Sequence, residues 1–145
     1  MRVQIILAGV GGQGILFASK LFSELGLRLG LRVLGSETHG MSQRGGSVVA
    51  HLKLGDFQSP LVREGRADIL YCFEANETYR TLRFLKDGGL CFASFPDGEE
   101  LHPKVECRAR ERGMVLKTFD ADARAMQIGG VLFANIVLIL SLIHI

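Results

Sequence analysis

Four glycines within six residues, Gly9-Val10-Gly11-Gly12-Gln13-Gly14, follow the apolar run Val3 to Ala8 and lead directly into a segment with helical hydrophobic spacing. Removing Cβ at so many positions of a strand-to-helix bend lets the backbone take positive φ and brings its amides within hydrogen-bonding reach of a ligand. The spacing Gly9-x-Gly11-x-x-Gly14 also matches the dinucleotide fingerprint. There, one glycine allows the turn, one the phosphate approach and one the packing of helix on sheet. The same glycines serve any tight βα turn, so on this stretch alone a phosphate site and a ligand-free turn both remain open.

From Ile15 to Leu29 the apolar positions Ala18, Leu21, Phe22, Leu25 and Leu29 recur at three and four residues, opposite Ser19, Lys20, Ser23 and Glu24. This spacing predicts a helix packed on a sheet and ended by Gly26 or Gly30. Leu31 to Gly35 reads as a second strand, completing a Rossmann-like βαβ unit by Ser36. Glu37 stands near the place where an acidic residue would bind ribose hydroxyls in such a unit.

A polar, glycine-rich loop follows, Glu37-Thr38-His39-Gly40-Met41-Ser42-Gln43-Arg44-Gly45-Gly46-Ser47. It leaves the carboxyl end of a strand, the edge where ligands bind in open α/β sheets. Arg44 offers a fork of charged donors, and Gly45 and Gly46 leave amides free to face the same anion. His39 and Ser42 add donors or a titrating group. Alternatively, Arg44 pairs with Glu37 or caps a helix, and the glycines only make a turn.

Val48 to Leu54 alternates, which predicts a strand with one buried face and places His51 at the surface. Asp68 to Phe73 is a continuous apolar run of the doubly covered kind. Glu74 to Thr78 should open a helix carrying Tyr79, Leu82 and Leu85 on one side and closed by Gly88-Gly89. Leu90 to Phe95 and Met114 to Phe119 read as strands, Pro96-Asp97-Gly98 as a turn, and Asp120 to Met126 and Val131 to Leu142 as helices, while His102 to Arg112 stays ambiguous. The alternation predicts a three-layer α/β/α domain with a mostly parallel sheet.

With 145 residues, 48% of them hydrophobic and 22% charged, the chain can bury one ordinary core and is expected to form a single domain over 1–145. A net charge of +2 without a basic run argues against nucleic-acid binding. The three cysteines, Cys72, Cys91 and Cys107, are odd in number and widely spaced, as for reduced thiols in a cytoplasmic protein. Absence of a CxxC or a paired-histidine motif gives the chain no ferredoxin-type cluster or zinc motif of its own. The apolar tail Val131 to Ile145 is shorter than the roughly 18 residues that suggest a membrane span. It also ends abruptly on apolar residues, so the domain is expected to be incomplete at its C-terminus, with Ser141 to Ile145 suspected as foreign.

Taken together, Gly9-Val10-Gly11-Gly12-Gln13-Gly14 and Thr38-His39-Gly40-Met41-Ser42-Gln43-Arg44-Gly45-Gly46-Ser47-Val48 resemble the gamma-type domain of 2-oxoacid:ferredoxin oxidoreductases. His39, Met41 and Ser42 make the chain most similar to the beta subunits of the indolepyruvate branch. Gln127 to Leu138, with Gly129 and Asn135, is similar to a late segment of that family. The resemblance implies a cytoplasmic enzyme whose larger alpha subunit carries thiamine diphosphate, Mg and iron–sulfur clusters. That enzyme would convert aryl pyruvates with coenzyme A and pass electrons to ferredoxin. No catalytic residue is expected on this chain, and Gly55-Asp56-Phe57 is no substitute for a thiamine diphosphate motif. By the same resemblance, Gly9, Gly11, Gly12, Gln13 and Gly14 would cradle part of coenzyme A. Arg44, Gly45 and Gly46 would complete the anionic site, and Glu37, His39, Ser42 and Gln43 are further candidate cofactor-binding residues. Three alternatives remain: a gamma subunit of a pyruvate or branched-chain 2-oxoacid enzyme, a free-standing nucleotide-binding domain, and a purely structural subunit whose glycines only fit backbone against backbone.

Overall fold

The computed structural model describes residues 1–39, 45–130 and 134–140. Among these residues six strands form one sheet in the order β2-β3-β1-β4-β5-β6: β1 (Val3–Val10), β2 (Val33–His39), β3 (Ser47–Leu54), β4 (Ala67–Cys72), β5 (Leu85–Ser94) and β6 (Val115–Phe119). β1 pairs parallel with β4, β4 with β5 and β5 with β6, whereas β3 is antiparallel to both β1 and β2. The sheet is therefore mostly parallel, as expected, with one reversed strand inserted between β1 and β2.

Successive residues of β1 face opposite sides and are buried on both. Ile5 and Leu7 join a core shared with α1 (Ile15–Arg28) and α5 (Ala134–Leu140). Ile6 and Ala8 join a second core with α3 (Pro103–Glu111) and the residues around α2 (Ala75–Thr81). α4 (Ala121–Ile128) closes the first side through Ala121. The resulting three layers confirm the α/β/α architecture. Among the described residues, no helix is long and apolar enough to cross a membrane.

α1 matches the expected span, but its buried stripe is Ile15, Ala18, Ser19, Phe22 and Gly26, while Leu25 and Leu29 are exposed. Gly26 sets the rotation. A Cβ there would lie 2.7 Å from Leu54 and 3.0 Å from Val33, so the helix approaches the sheet through its missing side chain. At its end Gly30 takes φ +72, and Leu31 N–H returns to the Gly26 carbonyl at 3.0 Å, the bond pattern of a Schellman close.

Two expectations are corrected. The helix after Glu74 stops at Thr81, passes through a 3-10 turn at Leu82–Phe84 and becomes strand from Leu85. Leu85 pairs with Ala67 in the sheet, and Gly88 N–H donates to the Arg112 carbonyl at the end of α3 at 3.0 Å, so long-range bonds capture residues whose local spacing predicts a helix. On β3, His51 and Lys53 are buried rather than at the surface. Phe57 and Val62, on the segment after β3, fold back over that face. Lys53 Nζ sits 5.1 Å from the Phe57 ring centroid, and His51 Nδ1 accepts from Val62 N–H at 3.2 Å.

Candidate functional site

The chain runs from β1 towards β2 on one side of the sheet and later from β4 towards β6 on the other. The crevice between the carboxyl ends of β1 and β4 is therefore the topological switch point of this sheet, the place where open α/β folds take ligands. The glycine turn closes β1 at that crevice, and Gln13 builds its floor. Its Oε1 accepts from Val10 N–H at 2.9 Å and its Nε2 donates to the Phe73 carbonyl at 3.2 Å, so one side chain continues the ladder where β1 and β4 separate. Gly9 makes room for it, since a Cβ there would lie 2.6 Å from Gln13 Oε1.

The second glycine segment packs directly against the first. Gly11 N–H donates to the Gly46 carbonyl at 3.0 Å, and the Gly45 nitrogen lies 3.7 Å from where a Gly11 Cβ would stand. Gln13 N–H is likewise used, by the Val10 carbonyl at 3.2 Å. Gly12 and Gly14 take φ +98 and +77. Their amides, with those of Ile15, Leu16 and Phe17 in the first turn of α1, have no partner among the described residues. Gly14 is the N-cap of α1 and brings no capping side chain, and the first helical turn holds no acid. The donors at this helix start therefore face outward without a competing carboxylate of their own turn.

A cavity of about 210 Å³ opens beside these donors, with Gln13, Ser94, Asp122 and Asn135 as its polar lining and Phe73 and Leu138 among its apolar lining. Ser94 Oγ accepts from Ala121 N–H at 3.1 Å, and Asn135 Oδ1 from Ile136 N–H at 2.7 Å. Burial, and then the neighbouring Asp120, push the Asp122 carboxyl up. Ligand pockets for drug-sized molecules span roughly 300–1,000 Å³, so this cavity suits one portion of a nucleotide-sized ligand. On the other flank of the turn, Val10, Ile15, Leu16, Phe17 and Val48 line an apolar groove of about 410 Å³. A larger cleft of about 980 Å³ lies along β6, at the outer strand of the sheet and away from the switch point.

Of the residues singled out from sequence, Gly9, Gly11, Gly12, Gln13, Gly14, Gly45 and Gly46 come together here. His39 ends β2, while Ser42, Gln43 and Arg44 lie outside the described residues. Glu37 does not join them. It is exposed on β2 and level with Ala50 and thus Leu7, with β3 between it and β1. Two strand spacings, roughly 10 Å, separate it from the strand that carries the turn. The inserted antiparallel strand removes the geometry in which an acid on the second strand meets a ribose at the first turn.

Nothing in the sequence marks Glu77, Asn135 and Ser94 as site residues. Asn135 reaches the turn through the packing of α5 on α1, which no local pattern reports. Glu77 stands three residues after Glu74, the spacing of an ordinary capping box, and this local explanation hides its other contacts.

The profile described as pyruvate ferredoxin/flavodoxin oxidoreductase matches residues 4–145. The chain belongs to that family. The indolepyruvate oxidoreductase subunit IorB of Thermococcus kodakarensis is 39% identical over 151 aligned residues, covering 93% of this chain and 73% of the relative. The IorB subunit of Pyrococcus horikoshii matches with the same identity and coverage. Among solved structures, the gamma subunit of a keto/oxoacid ferredoxin oxidoreductase from Geobacter sulfurreducens shares the fold. Its TM-score is 0.71 at 22% identity, over 92% of this chain and 71% of that one. A 2-oxoglutarate:ferredoxin oxidoreductase from Magnetococcus marinus, with 2-oxoglutarate, coenzyme A and succinyl-CoA bound, aligns with a TM-score of 0.74 at 18% identity. That match covers 92% of this chain and 22% of the other. Within the family this chain is of the small, IorB-like subunit type.

Proposed function

We propose that the chain serves a thiamine diphosphate and iron–sulfur dependent 2-oxoacid:ferredoxin oxidoreductase acting on indolepyruvate and other aryl pyruvates. The overall reaction gives aryl-acetyl-CoA and CO2 and passes two electrons to ferredoxin. The observation that carries this reading is the 39% identity, across 93% of the chain, to subunits named for indolepyruvate. Residues 1–145 act as one gamma-type domain in the cytoplasm. A larger alpha subunit holds thiamine diphosphate, Mg and the clusters, and no catalytic residue is assigned here.

This chain's own contribution is anion binding at the switch point. The amides of Gly12 and Gly14 and the uncapped start of α1 receive a phosphate-bearing portion of coenzyme A, and Arg44 supplies the fixed positive charge. When bound, coenzyme A provides the thiol that accepts the acyl group. Ser94 and Asn135 offer hydrogen bonds to the neutral part of the ligand. Asp122 keeps a second phosphate out of the cavity by charge and accepts from a donor there.

Co-purification with the alpha subunit, followed by ferredoxin reduction with indolepyruvate, pyruvate and a branched-chain 2-oxoacid, tests the proposal. Preference for indolepyruvate supports it, and preference for either other acid overturns the aryl assignment. Gly12→Ala should raise KM for coenzyme A on the order of tenfold, because alanine resists the φ of +98 that aims the amide. An unchanged KM would remove the anion site from this turn.

A further inference from the structure

Glu77 is the one carboxylate among the buried polar residues described, with 4% of its surface exposed. Burying a charge costs several kcal/mol unless partners compensate, so its partners indicate what it is for. Position 77 is the third of α2, where a glutamate ordinarily bends back to the N-cap amide. Here the N-cap Glu74 does its own work, accepting from Glu77 N–H at 3.1 Å. The Glu77 carboxylate instead turns to the sheet: Oε2 accepts from Ser47 Oγ at 2.7 Å and Oε1 from Arg80 at 3.3 Å.

Ser47 is the first residue of β3 and lies opposite Val10, the last of β1. Its neighbour Gly46 holds the Gly11 amide at 3.0 Å. A continuous path thus runs from α2 through Glu77 and Ser47 to Gly46, Gly11 and the turn that carries Gly12. Beyond Val10 and Ser47 the β1–β3 ladder has ended, and among the described residues the Gly11–Gly46 bond is its one continuation. Glycines on both sides leave that bond without side-chain packing to fix it. We infer that Glu77 is the positioning residue of the site, clamping the Gly45–Gly46 segment against the glycine turn through Ser47. The clamp itself stands on geometry; its effect on coenzyme A rests on the function proposed above.

Hydrogen–deuterium exchange of the full chain, read at the Gly11 amide, tests the clamp directly. Glu77→Ala and Ser47→Ala should each speed exchange there about tenfold, the range expected for losing a bond to a charged group. The double variant should be no faster than either single one, since both remove the same link. Glu77→Gln should largely restore protection, because its amide oxygen can still accept from Ser47. Unchanged exchange at Gly11 in Ser47→Ala, or additive effects in the double variant, would overturn the inference even if Glu77→Ala fails to fold. In the assembled complex the same variants should raise KM for coenzyme A roughly fivefold, with KM for the 2-oxoacid unchanged. Faster exchange without a change in KM would keep the clamp and sink the coenzyme A reading.

Discussion

The side-chain amide of Asn135 fills the space into which a Cβ on Gly14 would project. Two remote parts of the chain, the start of α1 and the start of α5, therefore meet with no room for even a methyl group. Gly14→Ala should cost about 2 kcal/mol or more, from forcing alanine to φ +77 and displacing Asn135. Combining it with Asn135→Ala should cost less than the sum of the two single changes, because the collision is relieved. Urea unfolding of the four proteins measures both effects.

Gln13 links Val10 N–H to the Phe73 carbonyl across the crevice. Gln13→Ala leaves both groups unpaired, and we expect a loss of about 2 kcal/mol together with faster exchange of the Val10 amide. A loss below about 0.5 kcal/mol would mean that solvent replaces the side chain at no cost.

Tyr71 is fully buried, tilted against Phe22 at 5.4 Å and stacked on Phe92 at 5.2 Å between ring centroids. Its hydroxyl has no hydrogen-bond partner among the described residues, and burial pushes its ionisation far up. Tyr71→Phe keeps the ring contacts and removes the unpaired group. It should raise stability by about 1 kcal/mol, seen as a higher urea midpoint with an unchanged slope.

His51 is held below the ordinary value of 6.5, first by burial and then by the charge of Lys53. Its Nδ1 accepts from Val62 N–H, so the neutral ring carries its proton on Nε2. Between the lowered folded value and 6.5 the unfolded chain binds more protons, so stability should fall as pH drops below 6.5 and recover above it. His51→Gln, which can still accept from Val62, should flatten that dependence between about pH 5 and 7. Urea midpoints across that range decide the matter; equal slopes would acquit His51.

Where sequence reasoning failed, the competing force can be named. Leu85 continues the helical spacing of Tyr79 and Leu82, yet its pairing with Ala67 of β4 and the bond from Gly88 N–H to the Arg112 carbonyl draw Leu85 to Gly89 into β5. Hydrophobic spacing places Leu25 and Leu29 on the buried stripe of α1, but Gly26 lets that helix approach closest at a position a hydrophobicity pattern ignores. Alternation on β3 separated its two faces correctly. What it omitted was Phe57 and Val62 returning to cover the more polar one.

The sequence by itself determined most of the alternation of strands and helices, the turn at Gly9 to Gly14 and the family resemblance. These depend on spacing within a few residues, where glycine conformation and hydrophobic period act directly. Tertiary structure alone decided that β3 would stand between β1 and β2, removing Glu37 from the site. It alone brought Asn135 to Gly14 and Glu77 to Ser47. A period of two tells which face a residue occupies and is silent on which strand lies beside it. Neighbours in the sheet, and the buried groups that must find partners across it, are settled only when the whole chain has packed.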